Sequence, residues 1–433
     1  MENQQNEGLK RELGVFDVAV NVINISIASG IFLLPAIIAG LLGNASILAY
    51  VLCGVIFLLV ALCYAEAGSR VTTSGGAYAY IEMAFGPYFG FLANGFLWFG
   101  TGILVSAALV NGIAEMLSVP FPIFSLPLYR GLLFVFLFCF LAYVNIIGLK
   151  QGMMVIKAST LIKVIPLVLV VVVGLLNLKI SNLQWVGFPT MDKVGAASLI
   201  LFFAFTGGEM ALNISGEMKN PNRTAPLGLM IGVVSIVVFY SLIQIVAQST
   251  LGTELINQKA PLAAVAGTLL GNWASTMLIV CAVVAIFGSL NSLVLVFSRV
   301  VYAGARDGLL PRFLSKVHPK FATPHVALIS FSTLSLIAAI SGGFKQLIIL
   351  ATLSVIFLHI GVALSVIKFR LKPGAESPGS FNLPGGISIP LIALGALLWF
   401  LFQSKANEVM ALAIFVVVLS IVYALKTFVY KQQ

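Results

Sequence analysis

The chain has 433 residues, of which 60% are hydrophobic and only 9% are charged. Soluble globular chains are about 45–50% apolar and about 25% charged. A soluble core cannot take up this much apolar surface, and apolar runs of membrane-spanning length recur along the whole chain. The composition excludes a cytosolic enzyme, a disordered chain, a collagen-like fibre and a disulfide scaffold. It predicts an all-α polytopic membrane protein.

The net charge of +10 does not indicate a nucleic-acid partner, because the 24 basic residues are scattered through short loops. The four cysteines all lie within apolar segments and form no CxxC pair, so we predict neither a disulfide nor a metal site, and no cofactor. They are Cys53, Cys63, Cys139 and Cys281.

Hydropathy predicts a polar cytoplasmic tail over residues 1–14 without a cleavable signal pattern, followed by twelve transmembrane helices. With both termini in the cytoplasm, seventeen lysine and arginine residues lie at inner ends and loops and six at outer ones, with Lys163 inside a helix. This bias predicts that both termini are cytoplasmic. The predicted helices are 15–42, 45–67, 88–117, 131–148, 154–176, 195–215, 226–250, 272–303, 323–341, 345–369, 386–402 and 409–430.

Two of the predicted helices contain small and polar residues in mid-span. The first has Ser26, Ala28, Ser29 and Gly30 in succession, with Pro35 a turn later, and the sixth has a glycine pair at 207–208. Interrupted helices at matching places in the two halves of a chain are typical of an inverted-repeat transporter. The alternative is the ordinary close packing of glycine-rich membrane helices.

Four stretches of the chain resemble permeases of the amino acid–polyamine–organocation (APC) superfamily. They are IASGIF at 27–32, the segment from YAE to FG at 64–86, the segment from FFAF to EMKNP at 202–221, and the segment from RDGLLP to TP at 306–324. Their order and spacing match the family over about residues 12–330.

The resemblance implies a five-plus-five inverted repeat with two additional C-terminal helices, and alternating access around a site at mid-membrane. The first repeat would be 15–176, the second 177–371, and the two last helices and a short tail 372–433. Helices 1 and 6 would both be discontinuous.

A break in mid-membrane exposes backbone amide and carbonyl groups, which suit the carboxylate and the ammonium of an α-amino acid. We therefore predict that Ala28, Ser29 and Gly30 bind the substrate carboxylate, and that Ile27 beside them also belongs to the substrate-binding site. On the amine side, partly from the family pattern, we predict Phe203, Ala204 and Thr206. Ala28 replaces the glycine that is usual in the family.

Lys163 lies about a third of the way into helix 5, where a charged side chain is costly. Snorkelling to the interface is the alternative to a functional role. Its position resembles the helix-5 lysine that replaces a sodium ion between helices 1, 5 and 8 in some family members. By that analogy we predict a coupling role for Lys163, with Ser289 and Ser292 of helix 8 as hydrogen-bond partners.

Two other residues of helix 6 are candidates. By analogy with the family, Phe203 is predicted to act as an aromatic gate over the substrate, although many of the 32 phenylalanines must face lipid or the core. Glu209 is a possible acid on the inner path, or a structural partner. His359 is interpreted as an isolated, hydrogen-bonded core histidine.

The segments around the breaks are mostly apolar, with no mid-span carboxylate besides Glu209. This favours a neutral amino acid, moved by proton symport or by exchange, as substrate of a transporter in the cytoplasmic membrane. The alternatives are a polyamine or cationic amino acid antiporter and a transporter-like nutrient sensor. We find no nucleophile–base pair that would indicate an enzyme. The loop 118–130 lacks cysteine, so no disulfide-linked ancillary subunit is expected.

Overall fold

A computed structural model describes residues 13–71, 76–147, 153–185, 187–306, 310–371, 381–382 and 385–430. Within these residues the chain is helical, and its one β-type contact is an isolated bridge between Leu13 and Met218. The α-helices are α1 (Val15–Ser26), α2 (Ser29–Leu42), α3 (Ile47–Arg70), α4 (Ala77–Phe85), α5 (Pro87–Phe96), α6 (Val105–Leu117), α7 (Pro127–Ile147), α8 (Met153–Leu176), α9 (Met191–Phe205), α10 (Pro221–Leu251), α11 (Pro261–Leu270), α12 (Asn272–Arg306), α13 (His325–Ser341), α14 (Phe344–Leu371), α15 (Ser388–Phe402) and α16 (Ala406–Tyr430).

Helices of the structure overlap every apolar segment predicted from hydropathy. Eight helical stretches among the described residues are long and apolar enough to cross a bilayer, and five further apolar helices have 10–17 residues. Both predicted interruptions are present, because α1 and α2 are separate helices and α9 ends at Phe205. The third predicted helix is also irregular. It passes from α5 to α6 through a π-helical stretch, Leu97–Leu104, which the sequence did not predict.

Helix α10 packs against both α1 and α3. Two glycines of α10 allow α1 to approach it closely. A Cβ added at Gly228 would lie 2.6 Å from Cβ of Val18, and one at Gly232 would lie 2.6 Å from Cβ of Val22. The two glycines are four residues apart and so share one face of α10. This arrangement of small residues is the usual way for membrane helices to pack closely, and it places α1 directly on α10.

A buried ion cluster joins α3 to α14. Glu66 has no exposed surface, and its carboxylate accepts hydrogen bonds from both Arg70, at 2.8 Å, and Arg370. Arg370 Nε donates to Glu66 Oε1 at 2.7 Å, and a second guanidinium nitrogen donates to the other oxygen. The bidentate geometry offsets part of the cost of burying these charges.

Replacing Glu66 with alanine removes the carboxylate that pairs with both Arg70 and Arg370. Breaking a buried ion pair by removing one partner costs about 3–5 kcal/mol, and here both arginines lose this carboxylate. We therefore expect a clear drop in the midpoint of thermal unfolding of the purified protein in detergent. The control is Glu115→Ala, because the pair of Glu115 with Arg130 is partly exposed and such a pair contributes about 0–1 kcal/mol. Equal losses for the two variants would contradict this prediction.

Candidate functional site

The first helix break lies between α1 and α2. Ile27 and Ala28 leave helical geometry, and Ala28 has φ −128° and ψ −149°. No side chain caps the N-terminus of α2. The first amide groups of a helix have no partner within that helix, so those of α2 are left for another acceptor. This end of α2 also carries a positive partial charge.

The second break follows α9. Thr206 is extended, Gly207 has φ +106°, and 3-10 turns follow over Gly208–Glu217. A positive φ favours glycine, which explains the residue at position 207. The Thr206 hydroxyl donates to the carbonyl of Phe203 at 3.0 Å. The Gly207 amide donates to the Glu209 carboxylate at 2.8 Å.

The two breaks lie against each other. A Cβ added at Gly30 would lie 2.8 Å from Cβ of Ala204, so the start of α2 touches the end of α9. A Cβ at Gly208 would lie 3.0 Å from Oγ of Ser26. The amide end of one helix therefore adjoins the carbonyl end of another, and their opposite partial charges suit the carboxylate and the ammonium of one small zwitterion.

Two serine hydroxyls at the first break are buried without a hydrogen-bond partner among the described residues. They belong to Ser26 and Ser29, which are 3% and 0% exposed. Buried hydroxyls are normally hydrogen-bonded, so a pair of them beside uncapped amides indicates a place for a polar ligand. Ile27, Gly30, Phe203 and Ala204 are buried around the same contact, and Ala28 and Thr206 are partly buried. The ring of Phe203 meets Phe344 of α14 edge to face, at 6.4 Å between centroids.

Lys163 of α8 reaches toward both α1 and α12. Its Nζ donates to Oγ of Ser289 at 3.3 Å and to the backbone carbonyl of Asn24 at 3.4 Å. The residue is only 5% exposed. In the described part of the chain, no carboxylate lies within 4.0 Å of its amine. The structure thus places Lys163 among the same three helices that the family resemblance implied.

The structure does not bring Ser292 to this amine. Ser292 is exposed on α12, and its hydroxyl donates to the carbonyl of Gly288 at 3.0 Å. Ser292 is three positions after Ser289, so the two side chains differ in direction by about 60° around an α-helix. Of the two serines named from sequence, Ser289 is the one in contact with Lys163.

A buried polar cluster that the sequence did not predict lies beside the second break. Tyr64 Oη lies 3.0 Å from Nδ1 of His359, and Nε2 of that histidine lies 3.9 Å from the Glu209 carboxylate. A cavity of about 20 Å³, lined by Tyr64, Thr101 and Glu209 among others, adjoins the cluster. It has room for about one water molecule. The three residues of the polar cluster come from α3, α14 and the turns after α9, so no spacing in the sequence predicts their contact.

Comparison with known proteins gives the family. A family model described as amino acid permease matches residues 13–430. The chain belongs to this amino acid permease family. The earlier resemblance to APC permeases is thereby confirmed over nearly the whole chain, including the last two helices.

Three relatives cover almost all of the permease. The serine/threonine exchanger SteT of Bacillus subtilis is 27% identical over 438 aligned residues, covering 94% of both chains. The branched-chain amino acid permease BcaP of the same organism is 26% identical, covering 90% of this chain and 87% of the relative. A methylthioribose transporter, also from Bacillus subtilis, is 26% identical and covers 97% and 94%. The family and these relatives are transporters, not enzymes, and the permease is a multi-pass membrane protein.

Gly30→Ala tests the contact between the breaks. The added methyl group would lie 2.8 Å from Cβ of Ala204 and 2.9 Å from its Cα, so the two breaks must separate. Overpacking of this kind costs about 1–3 kcal/mol. We expect initial uptake of the preferred substrate to fall about tenfold or more, at matched protein amount in proteoliposomes.

The matched control is Gly40→Ala in the same helix, where no atom lies within 4 Å of the added Cβ. It should transport like the wild type, because alanine favours a helix over glycine. Wild-type uptake by Gly30→Ala would show that close contact between the breaks is not required.

Proposed function

We propose that the permease is a secondary active transporter of neutral amino acids that works by alternating access. The observation that carries this proposal is the contact of the two helix breaks at Gly30 and Ala204. Uncapped amides, two unpaired serine hydroxyls and the carbonyl end of α9 converge there. An α-amino acid carries its carboxylate and ammonium on one carbon, so it can meet both helix ends at once.

The proposal of a neutral substrate rests on the charges near the breaks. Glu209 directly follows the second break and is the carboxylate closest in sequence to either break. It already accepts a hydrogen bond from the Gly207 amide and lies beside His359. A cationic side chain would need a carboxylate that is free to pair with it. SteT and BcaP are both named for neutral amino acids, which supports the same substrate class.

For the architecture, we propose twelve transmembrane helices, of which ten form two inverted repeats of five, residues 15–176 and 177–371, and two follow at the C-terminus. The breaks support this arrangement, because one follows α1 at the start of the first repeat and the other follows α9 at the start of the second. The proposed location is the cytoplasmic membrane with both termini inside, from the excess of lysine and arginine in the inner loops.

We assign Lys163 the coupling role, through its contacts with both α1 and α12. An ammonium buried in a membrane without a carboxylate partner is costly, so its proton can be released during the cycle. Its hydrogen bonds hold the Asn24 carbonyl, two residues before α1 ends, and Ser289 of α12. Gain and loss of the proton would therefore change the contact between α1 and α12. Phe203 and Phe344 form the proposed outer gate of the site.

Two other functions would give different results in the uptake experiment described below. A polyamine or cationic amino acid antiporter would use Glu209 as the counter-charge, because this carboxylate follows the second break directly. A nutrient sensor of the same fold would bind an amino acid without net transport. In each case the partners of the protein are the small-molecule substrate, a proton or counter-substrate, and lipid.

The deciding experiment is uptake of labelled amino acids into proteoliposomes of the purified permease. Empty vesicles with an inward proton gradient are compared with vesicles that are preloaded with unlabelled amino acid. Accumulation in empty vesicles indicates proton symport, and uptake only into preloaded vesicles indicates exchange. Uptake of arginine or putrescine, without uptake of neutral amino acids, would contradict the proposed substrate class. Binding without uptake would indicate a sensor.

Lys163→Ala should abolish the stimulation of uptake by a proton gradient while substrate binding persists, because the coupling amine is removed and the breaks remain. If the permease proves to be an exchanger, the same variant should change the pH profile of exchange. Ser289→Ala should shift that pH profile in the same sense, since it removes one partner of the amine.

The control for this prediction is Ser292→Ala, because Ser292 lies on the same helix but is exposed. It should behave like the wild type. An unchanged pH profile in Lys163→Ala would exclude the coupling role, whatever the substrate proves to be.

A further inference from the structure

A large apolar cavity lies far from the helix breaks, between the third predicted helix and the last one. Its volume is about 310 Å³, within the range of small-molecule pockets. Its walls are formed by α5 and the π-helical stretch on one side, α12 and α13 on another, and α16 on a third. The lining includes Phe91, Trp98, Phe99, Val300, Leu334 and Phe415.

The cavity opens to the outer surface of the helical bundle. Two of its lining residues, Leu334 and Val418, are 44% and 48% exposed. Helix α16 contacts little besides α5 and α14, and most of its apolar side chains face outward. In a multi-pass membrane protein that surface faces hydrocarbon. A cavity of this size with an apolar lining in contact with lipid tails favours an acyl chain as occupant.

Two positively charged residues closely follow one lining residue of the cavity in the chain. Leu310 lines it, and the amide of Leu310 donates to the carbonyl of Gly304, another lining residue, at 3.1 Å. Arg312 begins the next turn and is exposed, and its guanidinium pairs with no group among the described residues. Lys316 is exposed on the same loop, beside the apolar Phe313 and Val317, which are 55% and 44% exposed. Exposed cations interleaved with apolar side chains are typical of a surface that meets anionic lipid headgroups.

We propose that this cavity binds one acyl chain of an anionic phospholipid, whose phosphate is held by Arg312 and Lys316. The occupant is a membrane phospholipid, because the apolar cavity and the adjoining cations match the two halves of such a molecule. By filling the gap between α16 and α5, the bound chain would fix the last helix to the bundle. The site is separate from the breaks and from Lys163, so it does not depend on the proposed substrate.

The test is native mass spectrometry of the purified permease after exchange into mild detergent. Phosphatidylglycerol or phosphatidylcholine with identical acyl chains is then added back. The wild type should retain phosphatidylglycerol in preference to phosphatidylcholine. Val418→Trp fills the cavity and should lower retention of both lipids about tenfold or more. Val417→Trp, at an exposed neighbouring position outside the lining, should retain lipid like the wild type.

The headgroup contact is tested by the double variant Arg312→Gln with Lys316→Gln. It should still retain lipid but lose the preference for phosphatidylglycerol. The matched control is the double variant Lys345→Gln with Lys405→Gln. It removes two exposed lysines at the starts of α14 and α16, and it should keep the preference for phosphatidylglycerol.

Several results would overturn the proposal. One is equal lipid retention by the wild type and Val418→Trp. Another is equal loss in Val417→Trp, which would indicate a general effect on the lipid-facing surface. A third is a wild-type permease that is dimeric and becomes monomeric in Val418→Trp, with no change in the amount of bound lipid. That result would indicate that a second copy of the protein occupies the cavity. If Val418→Trp does not give folded protein, Leu334→Trp fills the same cavity from α13 and serves in its place.

Discussion

The structure depends on one constraint, which is that lipid offers no hydrogen bonds to backbone groups freed by a helix break. The chain meets this constraint with its own side chains at three of the freed groups. Tyr240 of α10 donates to the carbonyl of Ser26 at 2.8 Å, Thr206 donates to Phe203, and Glu209 accepts the amide of Gly207. The amides that start α2 receive no such side-chain partner. The proposed substrate site is thus the part of the breaks where the described residues provide no side-chain partner.

The close packing of α10 is what makes this arrangement possible. Gly228 and Gly232 let α1 lie directly against α10, and that approach brings the hydroxyl of Tyr240 to the end of α1. Larger residues at either glycine would push α1 away and leave the Ser26 carbonyl without its donor. The residues that shape the site therefore include some that never face it. In this protein they are glycines, because only a missing side chain allows such an approach.

Local properties of the sequence predicted the helices and both breaks, since hydropathy, small residues and Pro35 act within one segment. The family resemblance supplied the placement of Lys163 beside Ser289. Contacts between distant segments were not predictable in the same way. Glu66 pairs with Arg370, 304 residues later, and Tyr64 meets His359, 295 residues later. Nothing in the spacing of these residues relates them, because the helices that carry them meet only in the folded protein. The π-helical stretch at Leu97–Leu104 also has no marker in the sequence.

The geometry at Lys163 gives a physical reason for the proposed coupling of a proton to the proposed substrate site. Its amine donates to the backbone carbonyl of Asn24, and α1 ends two residues beyond that position. The hydroxyls of Ser26 and Ser29 lie in the same short segment, so a shift of α1 moves the groups that would meet the substrate carboxylate. The second contact, with Ser289, fixes the amine to α12. A group that connects the break to a neighbouring helix can convert a change in its own charge into a movement of the break. A lysine that snorkelled to the interface would have neither contact.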